Sequence, residues 1–187
     1  MREMRQEQNS LRAMVFTAMF AAIIYLGIWV FRIPIPAMVG RPFIHFGNTL
    51  TAVAILFLGY RNGMLAGIIG LGTFDLLNGY AATSWLTMLE VVVVASVISA
   101  IFKGMHYQDS KKNIMIIAIV AGVTKIFTTY AVSIVEDLMV GAVLKTALVA
   151  SFLSLPATVI NSISTAICTP ILYFALKNGS KAILKRI

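Results

Sequence analysis

Apolar runs separated by short polar, Pro-rich or Gly-rich breaks succeed one another along the whole chain, and each run reads as a helix. A polar tail, Met1–Asn9, leads to Ser10, a plausible N-cap, and the first helix is expected over Leu11–Phe31. Arg32–Pro42 holds three prolines, which remove backbone donors and push their predecessors to extended conformations; an extended loop folded over the bundle is expected there. A second helix is predicted over Ile44–Tyr60, a turn at Arg61-Asn62-Gly63, and a third helix over Met64–Leu77. Both fall short of the roughly 20 residues of a full membrane span. Gly63, Gly67, Gly70 and Gly72 allow close backbone contact along the third helix. After a turn at Asn78-Gly79, helices are expected over Ser84–Phe102 and Ile114–Val135. Leu138–Leu155 reads as a loop with a short helix. Ser154-Leu-Pro156 reads as the start of a last helix, Ala157–Leu176, kinked at Pro170.

Composition turns these helices into membrane spans. Of 187 residues, 59% are hydrophobic and 12% charged, against about a quarter charged in a soluble domain. The expectation is an all-α integral membrane protein, one domain over residues 1–187, with six transmembrane helices. The net charge of +8 suggests nucleic acid less well than membrane topology. With the N-terminus in the cytoplasm, 11 of the 15 Lys and Arg residues fall inside, Arg32, Arg41 and Lys145 fall outside, and Lys125 lies in the membrane. Both termini are therefore expected to be cytoplasmic. The first apolar run lacks a small-residue cleavage site after it and is read as a retained helix. The single Cys168 forms no intramolecular disulfide and no metal cluster.

The chemistry is sparse. No P-loop, no HExxH and no Cys/His cluster occurs, so neither ATP nor zinc has a recognisable binding motif, and no cofactor, metal or catalytic residue is expected. His106 is expected in solvent. The remaining polar groups in or near the membrane are Arg41, His45, Asn48, Asp75, Asn78, Glu90, Lys125 and Asn161. Such groups are costly in hydrocarbon unless paired, hydrated or used on a ligand. His45, Asn48 and Thr49 share a helix face, as do Asp75 and Asn78. Each also has a plainer account: Glu90 and Lys125 as a structural ion pair, His45 satisfied by backbone, Asp75 turned to water, and Tyr80, Trp85 and Tyr130 as interfacial aromatics. Clustering toward the outer face favours a small-molecule site. A self-sufficient carrier or channel fits the same charges, whereas a membrane enzyme has no motif behind it.

Six spans in under 200 residues, with Ala18-Met-Phe-Ala-Ala22, Phe43-Ile-His-Phe-Gly-Asn48 and Gly67-Ile-Ile-Gly-Leu-Gly-Thr-Phe-Asp-Leu-Leu-Asn-Gly-Tyr80, resemble the substrate-binding S component of an energy-coupling factor (ECF) vitamin transporter. The last two motifs resemble the subgroup linked to riboflavin-type and pyridoxine- or hydroxymethylpyrimidine-type S components. The resemblance implies a bacterial plasma-membrane subunit, not an enzyme, that captures a water-soluble vitamin on the outer face. The best match is vitamin B6 or hydroxymethylpyrimidine, with riboflavin or cobalamin as alternatives. It implies a gate made of the loop between the first two helices and release inside by toppling. It also implies partners: the transmembrane coupling protein EcfT and two cytoplasmic ATPases that hydrolyse ATP. On this chain Arg41, His45, Asn48, Asp75, Asn78, Tyr80 and Trp85 are then the substrate-site candidates. Ala18 and Ala22 are the coupling residues.

Overall fold

The structure is a computed structural model that describes residues 2–34 and 43–184, with side chains described for 10–34 and 43–179. Five helices carry it: α1 (Arg2–Trp29), α2 (Gly47–Leu77), α3 (Ser84–Gly104), α4 (Lys111–Met139) and α5 (Leu144–Leu184). All five are long and apolar enough to cross a membrane. Between α1 and α2, β1 (Ile33–Pro34) pairs antiparallel with β2 (Phe43–Ile44), joining the two ends of the Pro-rich segment. The rest of that segment, with Arg41, lies outside the described residues.

The two short helices expected over 44–77 are the two arms of α2. The chain breaks at Gly59, with φ +78° and ψ 179°, a backbone region open essentially to glycine alone. The turn thus falls at Gly59 and not at Arg61-Asn62-Gly63, which is helical. Gly63 has a different task. A Cβ there would lie 2.4 Å from the Ile55 Cα, so only a bare backbone lets the second arm fold back onto the first. The first arm is the most enclosed part of the molecule, with Thr51–Leu56 buried without a break. Its shortness is acceptable because protein, not lipid, surrounds it.

Other boundaries shift for local reasons. The polar tail is helical from Arg2, as its Arg, Glu, Met and Gln residues favour. The segment expected over 138–155 as a loop with a short helix ends α4 at Met139, turns over residues 140–143, and from Leu144 forms the first three turns of α5, which continues unbroken through Pro156 and Pro170. Buried Ala147 and Ser151 seat it on α4. The Ser151 hydroxyl donates to Asp137 (3.2 Å), and the Tyr130 hydroxyl donates to the Leu148 carbonyl (3.4 Å). Proline within a membrane helix is tolerated where neighbours re-satisfy the freed carbonyl.

Two apolar clusters set the packing. One joins Ala21, Ile24 and Ile28 of α1 to Ala54, Ala66, Leu71 and Phe74 of α2. The other joins Ala52, Ile55 and Leu56 of α2 to Ala95 and Ile98 of α3 and Ile114, Ile117 and Ala121 of α4. Large apolar side chains such as Phe16, Phe127, Phe152 and Ile171 face outward, as lipid contact requires. At the bundle end opposite the β-pair, Asp109 is held by Lys177 and by the Tyr173 hydroxyl (3.0 Å). The Lys177 ammonium keeps the Asp109 carboxyl below the usual carboxylate range. His106 is exposed in the same loop.

Candidate functional site

Each helix around the β-pair end contributes polar side chains at helical spacing, and these meet at one cavity of about 180 Å³. His45 comes from the short link between β2 and α2, Asn48 from the first turn of α2, and Thr87 and Glu90 from α3. Lys125, Thr129, Ser133 and Glu136 come from one stripe of α4, and Thr158 and Asn161 from α5. A narrower adjoining recess shares Asn48, Glu90 and Lys125 and is walled by Thr51, Leu71, Val91 and Thr165.

The floor is a closed ionic network. Lys125 donates to one Glu90 oxygen. Thr128 (2.7 Å) and Thr129 (2.8 Å) donate to the other. Glu90 is 6% exposed and Lys125 19%, so the pair is largely withdrawn from solvent. A buried carboxylate tolerates this only with its lone pairs met, and here they are.

The roof is held by Asn161. Its amide nitrogen donates to the Phe43 carbonyl (3.0 Å) and its amide oxygen accepts from the His45 N–H (3.0 Å). Strand β2, which leads into the Pro-rich segment, therefore hangs from α5 through one side chain. His45 turns Nδ1 to the Gly47 N–H (3.1 Å), so in the neutral ring the hydrogen sits on Nε2. Burial first, then the positive charges of Lys125 and Arg32, hold this imidazole down to about 3. His45 thus offers a neutral N–H donor at neutral pH.

The other sequence candidates are distributed around this cavity. Asp75 does not line it but neighbours Thr87, which does. Asn78 spends its amide on the Phe74 carbonyl (2.8 Å), capping α2. The Tyr80 oxygen accepts from Arg32 (3.1 Å), and its ring packs 6.3 Å from that of Phe43. The Arg32 guanidinium lies 4.4 Å above the Phe43 ring. Trp85 is 48% exposed and lines no part of the cavity. Ala18 and Ala22 are exposed on α1, in a separate apolar groove shared with Tyr25, Leu26, Ile69 and Thr73. Among the described residues no group of three or more His, Cys, Asp or Glu is placed to hold a metal ion.

Sequence reading did not place Thr87, Thr129, Ser133, Glu136 or Thr158 in the site. It weighed Glu90 and Lys125 as an ion pair, which they form. A signal was present: polar residues at 125, 129, 133 and 136 mark one face of an otherwise apolar span.

Comparison with curated proteins gives no match to this sequence. A solved structure, that of the S component of a bacterial ECF transporter, shares the fold with a TM-score of 0.68 at 19% identity, over 92% of this chain and 99% of that one. Residues 8–178 match the family model described as ECF-type riboflavin transporter, S component. A multi-pass helical membrane chain matched over nearly its full length belongs to that family of ECF transporter S components.

Proposed function

We propose that this chain is the substrate-capturing subunit of an ECF-type importer in a bacterial plasma membrane. It takes a compact, water-soluble, one-ring vitamin from the outer face, of the pyridoxine or hydroxymethylpyrimidine kind. The carrying observation is a cavity lined by polar side chains of four helices within an otherwise apolar bundle. Ligand pockets bury a mainly apolar wall around a few placed polar groups and usually measure roughly 300–1,000 Å³. At about 180 Å³ this one suits a small polar ring better than a large flat one.

In this reading the two arms of α2 count as separate crossings. The chain, a single domain, then crosses six times with both termini cytoplasmic, as the Lys and Arg distribution supports. The cavity lies at the β-pair end, which this reading takes as the outer one, and the Pro-rich segment between β1 and β2 serves as its gate, with Arg41 on it. His45 and Asn48 read the ligand directly. Asp75 and Tyr80 support the wall and the gate hinge, and Asn78 and Trp85 border it. Ala18 and Ala22 offer a small-residue surface to EcfT, and two cytoplasmic ATPases drive toppling and inward release.

A binding screen of the purified protein against the water-soluble vitamins tests the first part. Submicromolar binding of pyridoxine or hydroxymethylpyrimidine is expected, and no vitamin binding at all sinks the proposal. Bulky replacements at Ala18 or Ala22 are expected to weaken assembly with EcfT and spare vitamin binding. The reverse pattern moves those alanines into the binding site. Riboflavin is the second reading, favoured by the family description, and its selective binding in the screen selects it. Concentrative uptake by this chain alone, driven by a proton or sodium gradient, selects a secondary carrier instead.

A further inference from the structure

Glu136 is the carboxylate in the cavity wall that has no cationic partner among the described residues. Lys125 is taken up by Glu90. Arg32 is engaged with Tyr80 and the Phe43 ring. His45 supplies a donor but no charge. The charged groups nearest in effect to Glu136 are Glu90, Asp75 and Asp137, all acidic, and the side chain that hydrogen-bonds toward it is Thr83. An ionised carboxylate has room for about four hydrogen bonds and donates none, so most of its acceptor capacity faces the cavity unmet. Across the same cavity, Thr158 is 9% exposed and makes no hydrogen bond to any described residue. Its hydroxyl is not sealed off as those of Ser162 and Thr169 are, so it is open to a group in the cavity that it lines.

We propose that Glu136 and Thr158 are ligand-reading residues, and that Glu136 selects a ligand carrying a positive charge or a polarised N–H group on a single heterocyclic ring. The proposal rests on the small-vitamin reading above and adds the charge of the substrate to it. A cation entering this cavity completes the charge balance that Lys125 leaves undone. Among the described residues of the cavity wall, a carboxylate on the ligand would meet Glu136 with no unengaged cation to offset the repulsion. Selection here is therefore as much against anions as for cations.

The test uses full-length protein in detergent near neutral pH. Its probes are pyridoxamine, pyridoxine and 4-pyridoxate, which share one ring and differ in the charge of one substituent, with thiamine and riboflavin alongside. Expected is binding in the order amine, alcohol, carboxylate, with at least a tenfold gap between the first and the last. Glu136→Gln should collapse that gap, and Glu136→Asp should keep it. Thr158→Val should weaken all three and leave their order intact. A wild type that binds 4-pyridoxate as well as pyridoxamine, or a Glu136→Gln variant with the gap undiminished, overturns the inference and leaves vitamin capture standing. Binding of riboflavin alone overturns both the charge selection and the one-ring substrate while sparing the S-component role. Binding of none of the five overturns the inference, and vitamin capture falls with it only if the wider vitamin screen, hydroxymethylpyrimidine included, is also empty.

Discussion

At the scale of single residues, the Glu90–Lys125 pair and His45 behave in opposite ways toward solvent. Glu90 and Lys125 neutralise each other, and two threonines complete the carboxylate. Removing one partner strands the other. Lys125→Met is expected to destabilise the protein by about 3 kcal/mol, whereas the double change Glu90→Gln with Lys125→Met should return most of it. Thermal unfolding of the detergent-solubilised variants measures this, and additive losses would deny the pairing. His45 instead stays neutral, its folded pKa held down to about 3 against roughly 6.5 in an unfolded chain. Between those values the unfolded state binds more protons. Stability is therefore full above about pH 6.5 and falls as pH drops toward 3. From about pH 6.5 to 5, before most carboxylates titrate, His45→Gln should flatten that slope. An unchanged slope in the variant would assign it to another group. Which polar residues meet was only partly legible at this scale. His45 and Asn48 do meet at the cavity, but His45 lies before α2 and not on a helix face with Asn48, and Asn161 reaches β2 across more than a hundred positions, which no local spacing records.

At the scale of elements, the number of apolar runs was readable and their joints were less so. The turn at Arg61-Asn62-Gly63 was a reasonable expectation because Asn-Gly pairs make tight turns. The fold uses Gly59 for the turn and needs Gly63 bare for the seam. Two glycines four apart look alike in a sequence, yet one supplies a torsion and the other supplies space. Gly63→Ala should therefore cost about 1–3 kcal/mol through overpacking. Gly104→Ala, at a helix end with nothing within 4 Å, should be neutral or slightly stabilising. Equal effects at the two sites would mean the seam is not tight. The short helix expected within Leu138–Leu155 is continuous with the last helix from Leu144, a join that the glycine, the lysine and Pro156 hide in the sequence. The contacts that order it, from Ser151 and Tyr130, are tertiary. The polar stripe on α4 shows the opposite case: it was written at helical spacing and needed only to be read along the face instead of residue by residue.

At the scale of the molecule, the two ends of the bundle differ in kind. One carries the β-pair, the polar cavity and the Asn161 anchor. The other carries the Asp109–Lys177–Tyr173 cluster and an exposed polar loop. In the proposed topology, which the Lys and Arg distribution supports, the first end lies outside. With Cys168 replaced, a cysteine at the exposed Val143 should then react with a membrane-impermeant maleimide in intact cells, and one at Gln108 only after lysis. The opposite pattern would invert the topology and with it the direction of capture. Five helices are long and apolar enough to cross a membrane, and the six crossings of the proposed topology require the two arms of α2 to count separately.

The break at Gly59 has one consequence that concerns handedness more than size. A side chain at this position would meet nothing within 4 Å, so no steric crowding forbids one. What forbids it is chirality: φ +78° with ψ 179° is a poor place for an L-residue and an ordinary extended conformation for its mirror image. A semisynthetic protein with D-alanine at position 59 should thus fold at least as firmly as the native chain, since it narrows the unfolded ensemble without straining the folded one. Its L-alanine counterpart should lose about 1–2 kcal/mol. The same atoms, reflected at one carbon, would then separate a chain that folds back on itself from one that resists doing so.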